Sequence, residues 1–514
     1  MGHTEQLRRD AREIFRRALE AADARRAVLD AVRVEGTRLR VCGAEFEFGP
    51  SGGRVYSVAL GKAGAEMAAA LDERLGPRLA RGVVSAPATS HGLPSRWLVY
   101  AGGHPLPNGE SFEAARTALG LLRAADAEAA GEACEAVLVV FLVSGGGSAM
   151  LELPRDPRVT LEELREANRA LVSCGASISE INAVRRALSA VKGGGLAAAA
   201  GRAAQVTLLV SDTNRGRERD VASGPTLEPD ADAPDPREVL ARHGLRATLP
   251  GSVLRALEEV DEAGAVGQHH AAAPRREHFV LLDNGTACDA AARAARRLGY
   301  STQVAADLVE QHVEAGTAEM VSRLVSLAGP GWGEGRGGPR RSEDDRRGVC
   351  LVSGGEFSCP VRGGGLGGRS AETALRCAFE FRKAARASGG GQEVGHGDDA
   401  ETTGGGAAAS LGDGSGHDAD GGAGHDAEAA REGSAAAREF VTLCAGTDGA
   451  DGNSPAAGAL ADHTTLDRAR ARGLDPERHL AESDAYALFE ALGDAVVTGP
   501  TGTNVRDLRL LLAR

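Results

Sequence analysis

The 514-residue sequence predicts an α/β protein made of two α/β units. Three observations carry that expectation. A short apolar run passes straight into a Gly/Ser/Thr/Asp loop five times along the chain. Helix-period segments lie between these runs. The runs also lack polar alternation, which marks strands buried on both faces, as in a parallel sheet covered by helices. Hydrophobic residues make up 42% of the chain but aromatics only 3%, so the core is built from Ala, Val and Leu.

Residues 1–34 come first. Leu7, Ile14, Phe15, Leu19 and Ala22 fall at helical spacing, which predicts an amphipathic helix docked on the fold. The Arg- and Ala-rich composition resembles a transit peptide, but Glu5, Asp10, Glu13, Glu20, Asp23 and Asp30 argue against one. In the first unit, 35–240, Val55–Leu60 runs into Gly61-Lys62-Ala63-Gly64. The run 137–143 enters Ser144-Gly145-Gly146-Gly147-Ser148, and 206–210 enters Ser211-Asp212. Helices are expected at 66–75 and 179–190. A connector, 241–276, lies in a Pro-punctuated stretch, with His269 and His270 read as solvated linker. In the second unit, 277–514, the run 349–352 enters Ser353-Gly354-Gly355-Glu356 and 440–444 enters Ala445-Gly446-Thr447-Asp448-Gly449, with helices at 286–298 and 371–386. Two tracts break the pattern: 329–348 is rich in Gly and Arg, and 388–437 in Gly, Ala, Asp and His. Neither holds enough apolar surface to offset the entropy of ordering, so both are expected to be disordered surface insertions. His396, His417 and His425 sit in the second tract without a rigid frame to make them metal ligands.

The formal net charge is −13. The tract 388–437 holds ten acidic residues and one basic one, which supplies −9 and leaves an ordinary −4 for the rest. No basic stripe is present, so nucleic acid is not an expected partner. No apolar run reaches membrane-spanning length, so a membrane is not one either. The eight cysteines show no CxxC pair, which speaks against a zinc cluster and for reduced thiols in the cytoplasm. A homodimer is entertained as the assembly.

In open α/β sheets ligands bind beyond the carboxyl ends of the strands, where these loops lie. Any one loop can be a plain βα turn; five together point to a shared binding crevice. The loop Ser144, Gly145, Gly146, Gly147, Ser148 can leave backbone N–H groups convergent on a phosphate or carboxylate. It is neither a Walker loop nor a G-x-G-x-x-G dinucleotide fingerprint. Thr498-Gly-Pro-Thr501-Gly502-Thr503-Asn504 is a second candidate cradle, or else a hairpin turn between 495–497 and 505–512. Lys62, Lys192 and Arg369 are cations set beside glycine loops, suited to phosphate or carboxylate. Asp212 and Asp448 are candidate bases at strand ends. Asp448 and Asp451 are close enough to hold Mg²⁺, or else form an Asx turn.

Together the blocks are similar to a known family. They are Ala59-Leu-Gly-Lys-Ala-Gly64, Gly102-Gly-His-Pro-Leu-Pro-Asn108, Leu142-Val-Ser-Gly-Gly-Gly-Ser-Ala149, Ile181-Asn-Ala-Val-Arg-Arg186, Leu188-Ser-Ala-Val-Lys-Gly-Gly-Gly-Leu196, Ala222-Ser-Gly-Pro-Thr226, Leu351-Val-Ser-Gly-Gly-Glu356, Gly367-Gly-Arg369, Gly446-Thr-Asp-Gly449 and Thr498–Asn504. The chain resembles the glycerate kinases whose C-terminal part is the MOFRL domain. The resemblance implies a Rossmann-like N-terminal domain with a parallel sheet, a C-terminal MOFRL-type α/β domain, and a site in the cleft between them. It implies transfer of phosphate from ATP, with Mg²⁺, to D-glycerate, giving 2-phosphoglycerate or 3-phosphoglycerate. By motif, the family's lysine and arginine fall on Lys62 and Arg369. Three stretches depart from the family pattern: Ser370-Ala371-Glu372 in place of Asn-Gln-Glu, Thr213–Asp220 in place of a valine and a short turn, and Phe357-Ser358 in place of Pro-Thr. Two alternatives stand beside the kinase: a hydroxypyruvate reductase-type oxidoreductase, and a non-catalytic homologue that binds a phosphorylated metabolite.

Overall fold

The computed structural model describes residues 2–48, 53–87, 92–131, 137–263, 275–329, 348–388 and 438–514. The two low-complexity tracts, apart from Gly329, Gly348 and Ser388, and His269, His270, His396, His417 and His425 lie outside the described residues.

A small antiparallel sheet, β1 (Val32–Glu35), β2 (Arg38–Val41) and β3 (Ala44–Glu47), precedes the first large one. The large sheet holds β4 (Val55–Leu60), β5 (Leu79–Ala86), β6 (Trp97–Ala101), β7 (Leu138–Ser144), β8 (Ala204–Val210) and β9 (Arg276–Leu282) in the order β6-β5-β4-β7-β8-β9, every pair parallel. β4 and β7 are buried along their whole length, as the unbroken apolar runs predict. Val55, Ala59, Met67 and Leu71 pack on one face, and Val58, Leu60, Leu122 and Phe141 on the other. The strand order reverses between β4 and β7. The loops after these two strands therefore open into the crevice where doubly wound sheets bind ligands.

The second sheet departs from the expectation of parallel strands. It holds β10 (Ser301–Val304), β11 (Val349–Gly355), β12 (Phe440–Gly446), β13 (Gly458–Asp462), β14 (Ala495–Val496) and β15 (Asp507–Ala513) in the order β10-β11-β15-β12-β13-β14. β10 and β11 are parallel; the other four pairs are antiparallel. The final strand slots between β11 and β12, so all three are buried on both faces and read as continuous apolar runs whatever their direction. The hairpin reading of 498–504 is also corrected. β14 pairs with β13 at the sheet edge and β15 lies in its middle, so the loop crosses the sheet's end rather than joining neighbours.

Two segments sit in the opposite unit from their sequence position. The helix His3–Ala21 buries Leu7, Ala11, Ile14, Phe15 and Ala18 against Val441, Leu443, Leu508 and Leu510 of the second sheet. Arg8 is pinned there by Asp462 and Asp494, and Asp10 accepts from Tyr300 Oη at 2.7 Å. Conversely, β9, placed by sequence at the start of the second unit, pairs with β8 and completes the parallel sheet. The chain thus passes between the two units more than once, which ties them together.

Candidate functional site

A cavity of about 510 Å³ opens at the carboxyl ends of β4 and β7. Its walls come from both units: His104, Gly146, Ser148, Asp212 and Ser223 from the first, and Glu310, Glu356 and Arg506 from the second.

The 144–148 loop is held from beneath. Ser144 Oγ donates to the Leu60 carbonyl at 3.1 Å and accepts from the Ala63 amide at 3.0 Å, while the Lys62 amide donates to the Gly145 carbonyl at 2.8 Å. Gly146 turns left-handed (φ 81°), and the amides of Gly146, Gly147 and Ser148 have no acceptor among the described residues. That is the geometry of an anion nest. Gly145 must be glycine because Asp212 lies against it: a Cβ there would stand 2.0 Å from Asp212 Oδ2. Ser148 Oγ shares a hydrogen bond with Ser223 Oγ at 2.9 Å, which donates in turn to Asn182 Oδ1 at 2.9 Å.

Lys62 stands beside this nest, its Cγ 3.3 Å from where a Gly146 Cβ would be. Its ammonium pairs with Asp448 Oδ2 of the second unit at 2.5 Å, joining residues 386 apart in sequence. Burial holds the Asp212 carboxyl above its ordinary range, and the Asp448 charge adds to that; Lys62 and Arg506 pull it down. Burial likewise raises Glu356, with Asp212 adding and Arg369 opposing. His104 is kept below its usual value, first by burial and then by Lys62, so it is neutral at neutral pH.

Other expected site residues stand elsewhere. Arg369 does not line the cavity. It stands behind Glu356, its Nη2 2.7 Å from Glu356 Oε1 and its Nε 2.6 Å from Asp507 Oδ2. These two carboxylates more than offset the cost of burying its charge. Lys192 is a correction: it is buried and pairs with Glu152 beneath the site, out of reach of a ligand. Asp451 is another. Its two oxygens accept from the Ser370 and Ala371 amides at 2.9 and 2.8 Å, so it caps the helix Arg369–Ser388 rather than joining Asp448 around a metal. Burial lifts its carboxyl to about 7 against the pull of those amides. Among the described residues no group of three or more His, Cys, Asp or Glu side chains is placed to hold a metal ion.

The 498–504 loop acts as a strap rather than a cradle. Thr501 Oγ1 donates to the Thr447 carbonyl at 2.6 Å, Thr503 is buried, and Gly502 abuts Glu66. Asn504 Oδ1 accepts from the Arg506 amide at 3.1 Å. The strap delivers Arg506, a left-handed residue (φ 70°) whose guanidinium reaches Asn214 of the first unit and Glu310 at 3.0 Å. Arg506, Glu310, His104, Asn182 and Arg185 were not singled out from sequence. His104, Asn182 and Arg185 do stand in the family-like blocks 102–108 and 181–186, which was the available signal.

Known proteins agree with this architecture. A family model described as a domain of unknown function, DUF4147, matches residues 10–258, and the MOFRL family model matches residues 416–507. The chain is 31% identical to the glycerate 2-kinase of Pyrococcus horikoshii over 97% of this chain and 96% of that one. A relative in Agrobacterium vitis that carries the provisional name hydroxypyruvate reductase is 31% identical over 90% of this chain and 99% of its own. The crystal structure of glycerate kinase from Thermotoga maritima superposes with a TM-score of 0.70 at 27% identity, covering 99% of both chains. With the doubly wound sheet, the MOFRL segment and full-length similarity in agreement, the chain belongs to the MOFRL-type glycerate kinase family.

Proposed function

We propose that this protein transfers the γ-phosphate of ATP to a hydroxyl of D-glycerate in the cavity between its two units. The observation that carries the reading is the open amide nest at Gly146–Ser148 with Asp212 beside it, in a cavity completed by the second unit. Phosphoryl transfer is mostly positioning and neutralisation of phosphate charge. The nest and the Lys62 ammonium supply donors to the phosphates. Asp212 takes the proton from the acceptor hydroxyl as its oxygen bonds to the γ-phosphorus, and the bond to the β-phosphate oxygen breaks to release ADP. A carboxyl held above its ordinary range suits a general base working near neutral pH. Mg²⁺ characteristically uses one or two protein carboxylates with substrate phosphates as its remaining ligands. Glu356, which pairs with Arg369 and lines the cavity, would hold the ion, and the ion would neutralise charge on the phosphates.

The reductase alternative has one point in its favour, since the order of the parallel sheet is also that of dinucleotide-binding folds. The turn after β4, Gly61-Lys62-Ala63-Gly64, lacks the fingerprint that such binding uses. A coupled assay with ATP, Mg²⁺ and D-glycerate tests the proposal, with phosphorus NMR locating the new phosphate on the 2- or 3-hydroxyl. No ADP release, together with NADH-dependent loss of hydroxypyruvate, would refute it.

A further inference from the structure

Three arginines line the cavity, and two of them are neutralised. Arg217 pairs with Asp220 at 2.7 Å and Arg506 with Glu310 at 3.0 Å. Arg185 pairs with no carboxylate among the described residues. Its Nε donates to the neutral Asn168 Oδ1 at 2.9 Å, and Asn168 is itself fixed by donating from Nδ2 to the Leu164 carbonyl at 2.9 Å. The remaining donors of the fork have no acceptor among the described residues. Burial alone acts on this guanidinium and pulls it below its ordinary value, with no carboxylate holding it up. A half-buried cation without a counter-ion is costly to keep, and the cost is recovered when a ligand supplies the charge.

The surroundings say where that charge would sit. Arg185 projects from the helix Ile178–Leu188, on which Asn182 stands one turn earlier and also lines the cavity. Asn182 donates to Asp220 at 3.1 Å and accepts from Ser223, so its amide is oriented and the cavity wall beside Arg185 is polar and fixed. Asn168 holds Arg185 by Nε alone, leaving the Nη1/Nη2 edge of the fork for two parallel in-plane bonds. A carboxylate fits that geometry, and a phosphate oxygen pair fits it too.

We propose that Arg185, held by Asn168, is the carboxylate anchor of the cavity: it binds the acid group of a small hydroxy-acid substrate while the nest at 146–148 takes the phosphate end of the nucleotide. The proposal rests on the kinase reading of this cavity and adds the residue that selects an acid over a plain polyol. Arg185 is a binding residue. Asn168 is a positioning residue that acts through it.

The test uses the full chain and two variants, Arg185→Met and Asn168→Asp. In steady-state assays Arg185→Met should raise KM for D-glycerate about 100-fold and leave KM for ATP within about 3-fold, the loss expected for a desolvated charge-assisted pair. The wild-type preference for D-glycerate over glycerol, which lacks the acid, should shrink by the same factor. Asn168→Asp gives Arg185 a counter-ion in place and should weaken D-glycerate about 10-fold without lowering Tm. A rise in KM for ATP instead would assign Arg185 to a phosphate and overturn the proposal, as would unchanged or equally raised constants for both substrates. Calorimetric titration of D-glycerate without nucleotide reads the anchor separately from turnover. If the chain proves not to be a kinase, binding of D-glycerate by the wild type and its loss in Arg185→Met still support the anchor. A wild type that binds no carboxylate overturns it. If Arg185→Met fails to fold, Asn168→Asp decides between these outcomes.

Discussion

The contact between Lys62 and Asp448 joins the two units at the edge of the proposed phosphate nest, and a double-mutant cycle on it separates chemistry from architecture. Two unit charges about 4 Å apart interact by about 1 kcal/mol in water and about 4 kcal/mol at an effective dielectric of about 20. The Lys62 and Asp448 side chains are 27% and 16% exposed, between those limits, so their coupling in the folded protein should be about 2 kcal/mol. Lys62→Met removes a charged donor aimed at phosphate. It should lower kcat/KM by about 10²–10³-fold, roughly 2.7–4 kcal/mol of transition-state stabilisation. Asp448→Asn leaves the ammonium in place but loosens its aim, and should cost about 10-fold. Because Asp448 acts through Lys62, the double variant should be no slower than Lys62→Met alone. The assays are ADP-coupled steady-state kinetics and urea unfolding on all four proteins. Activity of Lys62→Met within a few-fold of wild type would remove Lys62 from the mechanism. Effects that multiply in the double variant would show that the two residues act independently.

Two further outcomes are expected. Asp212 is held above the ordinary carboxylate range in the folded protein, and as a base it works only when ionised. The acid limb of kcat/KM should therefore lie above about pH 4, with activity lost as pH falls through it, and Asp212→Asn should lower kcat/KM by at least about 10²-fold. A limb at about pH 4, or one that survives in Asp212→Asn, would assign the base elsewhere. Asp451→Ala removes two bonds to the first amides of the helix that begins at Arg369, and should lower stability by about 1–3 kcal/mol in urea unfolding. The Mg²⁺ concentration for half-maximal rate should stay the same. A change in that concentration without loss of stability would restore Asp451 as a metal ligand.

The site itself was partly legible. Gly146, Ser148 and Asp212 were visible because each follows directly on an apolar strand, and the end of a buried parallel strand is where a crevice opens. Lys62 was visible for the same reason. Lys192 looked equivalent beside its own glycines, yet it is buried against Glu152. Glycine marks a close backbone approach, and nothing in the local sequence tells whether a ligand or another part of the chain makes that approach. Asp448 and Asp451 looked like a pair because only two residues separate them. The turn between them sends one carboxylate to Lys62 and the other to a helix end.

By itself, then, the sequence determined the elements: β4, β7, β8, β11 and β12, the helices between them and the loops at their ends, since local periodicity and burial on both faces are written in neighbouring residues. It also carried the family, through blocks spread along the whole chain. Tertiary structure alone decided that the helix His3–Ala21 packs on the second sheet, that β9 completes the first, and that β15 enters antiparallel between β11 and β12. It alone decided that Arg506 and Glu310 line one cavity with Asp212 and that Arg185 has no counter-ion among the described residues. These facts depend on pairings between segments hundreds of residues apart, and a buried strand or a lone arginine has the same local sequence whichever partner the fold brings to it.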